Sequence, residues 1–315
     1  MHDCDAVVDA HRGTTRAVFV VGYPRRGTLR GAMTDSVDGA RGASRTAVMV
    51  AALRGRATAR PEPVCHDPWA AQLAGADGLV YAAEYDRAFP HVELWIAART
   101  AVIDAEVRTR IAEGFTQIVI LGAGLDTRAA RIATSGVRFF EVDQPASQAD
   151  KRARLAQLDG YPLATATYVS CDFEQQDFLA QLIASGFDVS RAALFVWEGV
   201  TYYLPEAAVT ATLARIAHGC EARSVVAFDL VRKRFADGEV QDVADVAARD
   251  RVAEMGEPLR FGSNDIVPML FDAGFRKVSA QSFDAIALNL TGTYARERKF
   301  RFQSFVRASV RSALP

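Results

Sequence analysis

The sequence predicts an α/β chain: an open, mostly parallel sheet with helices on both faces, preceded by a helical segment. Three observations carry this reading. From Thr116 onward, short β-branched and aromatic runs alternate with helix-length stretches, the rhythm of parallel strands joined by helical crossovers. The first run, Ile118-Val-Ile-Leu121, stops abruptly at Gly122-Ala-Gly124. The next three runs end in or beside an acid, Asp143, Asp172 and Glu198, and the carboxyl ends of such strands are where an open sheet collects its ligand-binding groups.

In chain order, residues 1–35 mix glycine, arginine and isolated apolar residues without periodicity, and are expected to be a poorly ordered extension; Met33 offers an alternative start. Residues 36–115 are expected to form a helical cap. Ala47, Val48, Val50, Ala51 and Leu53 give one helix an apolar face, and Asp67-Pro-Trp-Ala reads as an aspartate N-cap with proline at the first helical position. A long helix follows over 91–113, with Gly114 as its C-cap.

The sheet domain is expected over 116–315. Strands are predicted at 117–121, 138–142, 166–170, 192–197 and 223–230, with helices at 126–134, 146–158, 175–185 and 205–218. The charged, alanine-rich stretch 232–257 reads as a helical insertion over one rim, within a region near 231–262. A helix at 263–273 and strands near 276–281 and 302–308 close the chain, the last two as an antiparallel edge pair.

Composition bounds the function. With 315 residues, half of them hydrophobic, there is material for one large core. A formal charge of −1 provides no broad footprint for nucleic acid or an anionic membrane. The cysteines at 4, 65, 171 and 220 show neither a disulfide framework nor a zinc spacing, so no metal is expected. No apolar run approaches the ~20 residues of a membrane span, and Asp3, Asp5 and Asp9 are wrong for a signal peptide. A cytoplasmic protein acting on a small molecule is expected, with its oligomeric state open.

Gly122 and Gly124 let the backbone approach a ligand, and Asp143 follows Gly122 by 21 positions, close to the ~20 that bring a ribose-binding acid to the neighbouring strand tip. Asp143 can accept both ribose hydroxyls. Asp172 can accept an adenine amine, with Phe173 against the ring. A pyrophosphate site would want a third glycine where Asp126 and Thr127 stand. The Asp126 carboxylate repels phosphate and suits a cationic amine and sulfonium, as in S-adenosylmethionine. Glu198 would sit near the methionine amine or the acceptor. Arg99 could clamp the methionine carboxylate, although on position alone it reads as a surface ion pair with Glu93 or Asp104. Tyr202 and Tyr203 could line an acceptor pocket or pack under the next helix. Glu198 and Tyr203 are the catalytic candidates. No histidine falls at a strand end, and no nucleophile elbow or zinc-protease motif is present.

These segments together resemble the leucine carboxyl methyltransferase superfamily, in particular its bacterial S-adenosylmethionine-dependent branch. The resemblance rests on Leu121-Gly-Ala-Gly-Leu-Asp-Thr-Arg128, on Phe140-Glu-Val-Asp143 with Pro145 and Lys151, and on Glu198-Gly-Val-Thr-Tyr-Tyr-Leu-Pro205. Further matches are Ser44-Arg-Thr-Ala47, Asp67-Pro68, Ala98-Arg-Thr100, Glu257-Pro-Leu-Arg-Phe-Gly262 and Asp272-Ala-Gly-Phe275. It implies a class I methyltransferase (Rossmann-like) fold of seven strands with the last inserted antiparallel, plus a helical N-terminal cap. It also implies roles: Arg99 on the cofactor carboxylate, Gly122 in the glycine turn, Asp143 on ribose, Asp172 on adenine, and Glu198 as the acid after the fourth strand. The expected activity is O-methylation of a carboxylate or hydroxyl. A nicotinamide-dependent oxidoreductase and a non-catalytic S-adenosylmethionine-binding protein are the alternatives.

Overall fold

The computed structural model describes residues 44–173, 175–239, 242–292 and 300–311; the extension expected at 1–35 lies outside them. Three helices come first. Helix α1 (Arg45–Thr58) is capped by Ser44, whose Oγ accepts the Ala47 N–H at 3.0 Å. Helix α2 (Ala70–Ala88) begins three residues beyond Asp67 and is broken at Gly75, where φ is 64° and ψ −168°. Asp67 is therefore not its cap. One carboxylate oxygen accepts the Trp69 N–H at 3.2 Å and the other is held by the buried Arg54 at 3.0 Å, so 67–69 form a turn ahead of the helix. Helix α3 (Val92–Ala112) is the long one expected.

The sheet follows as β1 (Gln117–Leu121), α4 (Arg128–Arg131), β2 (Arg138–Asp143), α5 (Pro145–Leu155), β3 (Ala166–Ser170), α6 (Phe178–Ala184), β4 (Ala193–Trp197), α7 (Glu206–Gly219) and β5 (Val225–Val231). Next come α8 (Lys233–Ala236), α9 (Val243–Glu254), α10 (Val267–Asp272), β6 (Lys277–Ser282), α11 (Phe283–Thr291) and β7 (Gln303–Ser309). The seven strands are ordered β3-β2-β1-β4-β5-β7-β6. Strands β1 to β5 are parallel, and β7 runs antiparallel between β5 and β6. This is the mostly parallel sheet with an inserted antiparallel last strand. β1, β4 and β5 are buried at every position, as strands covered on both faces must be.

Three expectations are corrected in detail. Helix α4 is a single turn, because the Asp126 carboxylate accepts the Arg128 N–H at 2.6 Å and holds 126–127 outside the helix. The insertion divides into α8 and α9. Helix α11, unread in the sequence, separates the two last strands, capped by Ser282 and closed by left-handed Gly292.

Two apolar clusters sandwich the sheet. One holds Leu53, Ile96, Ile103, Ile118, Leu194 and Phe305 beneath α1 to α3. The other holds Phe140, Leu182, Phe195, Leu213 and Leu270 beneath α6, α7 and α10. Strand order reverses between β1 and β4, so their carboxyl ends open a crevice, and the first three helices and α9 stand around it. Among the described residues, no helix is long and apolar enough to cross a membrane.

Candidate functional site

That crevice is a cavity of about 970 Å³, at the top of the ~300–1,000 Å³ range of small-molecule sites. Arg99, Gly122, Gly124, Asp143, Phe173, Glu198, Tyr202 and Tyr203 all lie on its wall. Residues far apart in the chain thus meet as the sequence spacing implied. Asp172 does not lie on that wall; its N–H donates to Gln176 Oε1 at 2.9 Å and its carbonyl accepts two further backbone N–H groups. Phe173 is the member of that pair facing the cavity.

At Gly122 the protein's own packing also requires glycine. At Gly122, φ is +65° and a Cβ would come 2.5 Å from Val200 Cγ2. The loop after β4 fills that space. At Gly124, φ is +44° and the nearest neighbour is Ala47 of α1 at 3.4 Å. The turn therefore approaches protein on both sides. Gly122→Ala should destabilise the chain by ~2–4 kcal/mol, combining left-handed strain with overpacking. In urea unfolding, Val200→Ala in the same chain should recover the steric part only.

Asp143 fastens this turn. Its Oδ2 accepts the Gly124 N–H at 2.6 Å and its Oδ1 the Gln144 N–H at 2.7 Å. Burial raises its carboxyl above the ordinary value, and those two donors only partly offset this.

Arg99 is not a surface residue. It is 3% exposed, its Nε donates to Glu198 Oε1 at 2.8 Å, and its Nη1 reaches Tyr202 OH and Asp229 Oδ2, both at 3.2 Å. The partners expected from position alone are engaged elsewhere: Glu93 holds Arg56 and Arg60, and Asp104 holds Arg128 and Arg131. Arg99 Nη2 makes no hydrogen bond among the described residues, which leaves its two N–H groups for a ligand carboxylate.

Glu198 lies between two guanidiniums, with Arg99 on Oε1 and Arg128 Nη1 at 2.5 Å from Oε2. Burial alone would raise its carboxyl, but Arg128 and Arg99 outweigh it and hold it below the ordinary range. Tyr203 moves the other way, as burial and the nearby Glu257 push its hydroxyl well up. Glu198 is thus ionised and weakly basic, and Tyr203 stays protonated. Neither suits a proton acceptor at neutral pH.

Asp126 is also not a lone carboxylate. It bonds the Arg128 guanidinium as well as its N–H, and Arg128 and Arg131 overcome its burial to depress its carboxyl. The charge argument moves to the whole cluster. Arg54, Arg99, Arg128 and Arg131 face Asp67, Asp104, Asp126, Glu198 and Asp229, all linked through ion pairs, and of these Arg54, Arg99, Asp126 and Glu198 line the cavity. Four guanidiniums meet five carboxyl groups.

Asp229 and Arg128 escaped the sequence reading. Asp229 accepts the Gly199 N–H at 2.6 Å as well as Arg99, and burial raises its carboxyl against the pull of Arg99. Its signal was available: one acid within the apolar run Val225-Val-Ala-Phe-Asp-Leu-Val231.

Comparison with known proteins finds relatives in sequence and in fold. A family profile described as leucine carboxyl methyltransferase matches residues 47–217. A Mycolicibacterium vanbaalenii protein, assigned by name to S-adenosyl-L-methionine-dependent methyl transfer, is 34% identical over 284 residues, covering 85% of this chain and 90% of its own. Among solved structures, a DUF574 family protein from Streptomyces avermitilis superposes with a TM-score of 0.59 at 14% identity, over 85% of this chain and 97% of that one. A Thermobifida fusca protein described as a methyltransferase gives 0.57 at 16% identity, over 85% and 95%. These two likenesses concern the fold.

Proposed function

The chain belongs to the leucine carboxyl methyltransferase family, and from that premise we propose that it is an S-adenosylmethionine-dependent O-methyltransferase acting on a small molecule, with a carboxylate as the preferred acceptor and a hydroxyl as the second choice. Its place of action on this reading is the cytoplasm.

The cavity fits the cofactor chemically. Six acids (Asp77, Asp126, Asp143, Glu198, Glu254 and Glu257) and five arginines (Arg45, Arg54, Arg99, Arg154 and Arg249) line the cavity, a slight acidic excess that favours a ligand bearing sulfonium and ammonium charges. The uncommitted Nη2 of Arg99 suits the methionine carboxylate. Asp143 suits the ribose hydroxyls and Phe173 the adenine ring. When bound, the cofactor supplies an electrophilic methyl group. The protein's part is to hold the reactants in line and exclude water.

One observation carries the choice of acceptor. Of the two catalytic candidates read from the sequence, Glu198 is held ionised by two arginines and Tyr203 is held protonated by burial, and no histidine is among the described lining residues. An acceptor that arrives ionised needs no base, and a carboxylic acid is ionised above about pH 5.

Transfer of labelled methyl groups to a panel of carboxylic acids and phenols tests this. With an acid acceptor, kcat/KM should be flat from pH 6 to 9. A phenol should be methylated, if at all, with a rate rising about tenfold per pH unit below its own pKa. A rising limb near neutrality with an acid acceptor would count against carboxyl transfer. S-adenosylhomocysteine should bind in calorimetry where NAD does not, and the reverse would overturn the methyltransferase reading.

A further inference from the structure

Strand β5 carries a charge where its neighbours are apolar. It reads Val225-Val-Ala-Phe-Asp-Leu-Val231 and is buried at every position. Successive side chains of a strand point to opposite faces. Val225, Ala227 and Val231 belong to the cluster beneath α1 to α3, whereas Val226, Phe228 and Leu230 belong to the one beneath α6, α7 and α10. Asp229 thus points towards α3, the helix that carries Arg99, and it is fully buried. A buried ion pair adds little net stability, and apolar side chains of similar volume often serve as well or better. Net stability is therefore a weak reason for an acid here, and its bonds supply a stronger one.

Three donors converge on the Asp229 carboxylate. Oδ1 accepts the Gly199 N–H at 2.6 Å, and Oδ2 accepts Arg99 Nη1 at 3.2 Å and Tyr202 OH at 3.3 Å. The Tyr202 hydroxyl also accepts from Arg99 Nη1, at 3.2 Å, so guanidinium, phenol and carboxylate close a triangle. Gly199 directly follows Glu198, whose Oε1 accepts Arg99 Nε at 2.8 Å. One carboxylate thus fixes both the loop that presents Glu198 and the guanidinium that Glu198 meets. The same loop packs on that guanidinium: at Gly199, where φ is +71° and suits glycine, a Cβ would lie 3.4 Å from both Arg99 Nη1 and Nη2. With Nε and Nη1 engaged and the Trp95 ring centre 4.9 Å away, the guanidinium is held on several sides and Nη2 is the nitrogen left over.

We propose that Asp229 is a positioning residue for the amino-acid end of the cofactor: by holding Arg99 Nη1 and the Gly199 N–H together, it aims Arg99 Nη2 at the methionine carboxylate. The proposal rests on the methyltransferase reading above, in which Arg99 meets that carboxylate. Asp229 does not itself line the cavity and acts through Arg99. An arginine recognises a carboxylate by the directions of its N–H bonds as well as by its charge. A long side chain keeps such a direction only where its neighbours lock it. Loss of the Asp229 carboxylate leaves the charge of Arg99 and removes its orientation, so discrimination for the ligand carboxylate should fall while the adenosine part still binds.

The test is calorimetry on the full chain with S-adenosylhomocysteine and with S-(5′-adenosyl)-3-thiopropylamine, the same molecule without its carboxyl group. The unmodified protein should prefer the first by about tenfold or more, as expected of a charge-assisted hydrogen bond. Asparagine at 229 cannot present an oxygen to both Arg99 and Gly199. In Asp229→Asn the preference should therefore fall below about threefold, with affinity for the decarboxylated ligand kept within about threefold. Tyr202→Phe keeps the ring and removes the hydroxyl between Arg99 and Asp229; it should lower the preference about threefold, and it decides the matter if the asparagine variant does not fold. Thr201→Val removes the hydroxyl that donates to the Asp229 carbonyl at 2.8 Å, and should lower stability without changing the preference. A preference that survives in the Asp229 and Tyr202 variants, an equal loss of affinity for both ligands, a preference lost to the same degree in Thr201→Val, or equal affinities in the unmodified protein would overturn the role. Failure of S-adenosylhomocysteine to bind the unmodified protein is a different result, which removes the underlying methyltransferase reading.

Discussion

Asp143→Ala is expected to weaken S-adenosylhomocysteine binding by more than a hundredfold in calorimetry, while the chain remains folded. Two effects combine. The carboxylate proposed to accept the ribose hydroxyls is removed, and a ligand hydroxyl buried opposite the vacated position loses a charge-assisted partner worth about 1.5–3 kcal/mol. The glycine turn also loses its fastening, because Asp143 Oδ2 holds the Gly124 N–H and Oδ1 holds the Gln144 N–H. Both donors then depend on water that the ligand must displace. Asp143→Asn separates the effects. The amide keeps one acceptor oxygen for the turn but turns an NH2 toward a backbone donor, so an intermediate loss, on the order of tenfold, is expected. Binding undiminished in the alanine variant would remove Asp143 from the site.

The sheet was legible because its strands are buried on both faces, and such strands show in the sequence as continuous apolar runs such as Ile118–Leu121 and Leu194–Trp197. Strand tips were legible for the same reason, since a polar residue ending an apolar run stands out. Helix limits were less so: Asp126 looks like a residue of the following helix, yet its side chain bonds the backbone two residues on and shortens that helix to one turn. Helix α11 was missed because Phe283–Thr291 is mostly apolar and follows directly on β6, where periodicity over so short a run is ambiguous. The partners of Arg99 could not be read at all. Glu198 is 99 residues away and Asp229 is 130, and an arginine on a helix gives no sign of reaching across the fold rather than to Glu93 or Asp104. Burial of Arg99 and Arg128 is a tertiary outcome, decided by where α3 and the glycine turn meet.

That burial makes Glu198 the residue whose loss should be felt most in stability. Glu198→Gln is expected to destabilise the chain by about 3 kcal/mol at pH 7, the lower end of the ~3–5 kcal/mol for breaking a buried ion pair. The lower end applies because Asp229 still partners Arg99, and Asp104 and Asp126 still partner Arg128. Glu198→Ala should cost more, since position 198 then offers no polar atom to either guanidinium. The penalty should also depend on pH, with a fixed sign. Arg128 and Arg99 depress the Glu198 carboxyl in the folded chain, while in the unfolded chain it titrates near its ordinary value of about 4.3. Between those two values the unfolded state binds more protons, so the stability Glu198 contributes is complete above about pH 5 and is lost as pH falls through the folded-state value. Asp126 and Asp67 follow the same direction. Asp143 and Asp229, raised by burial, oppose it, but they are common to both proteins and largely cancel in the difference. Urea midpoints of the unmodified chain and of Glu198→Gln should therefore lie far apart at pH 7 and draw together as the pH falls below about 4. A separation that stays constant over that range would mean that Glu198 is not the ionised bridge between Arg99 and Arg128, and its role in holding Arg99 towards a ligand carboxylate would fall with it.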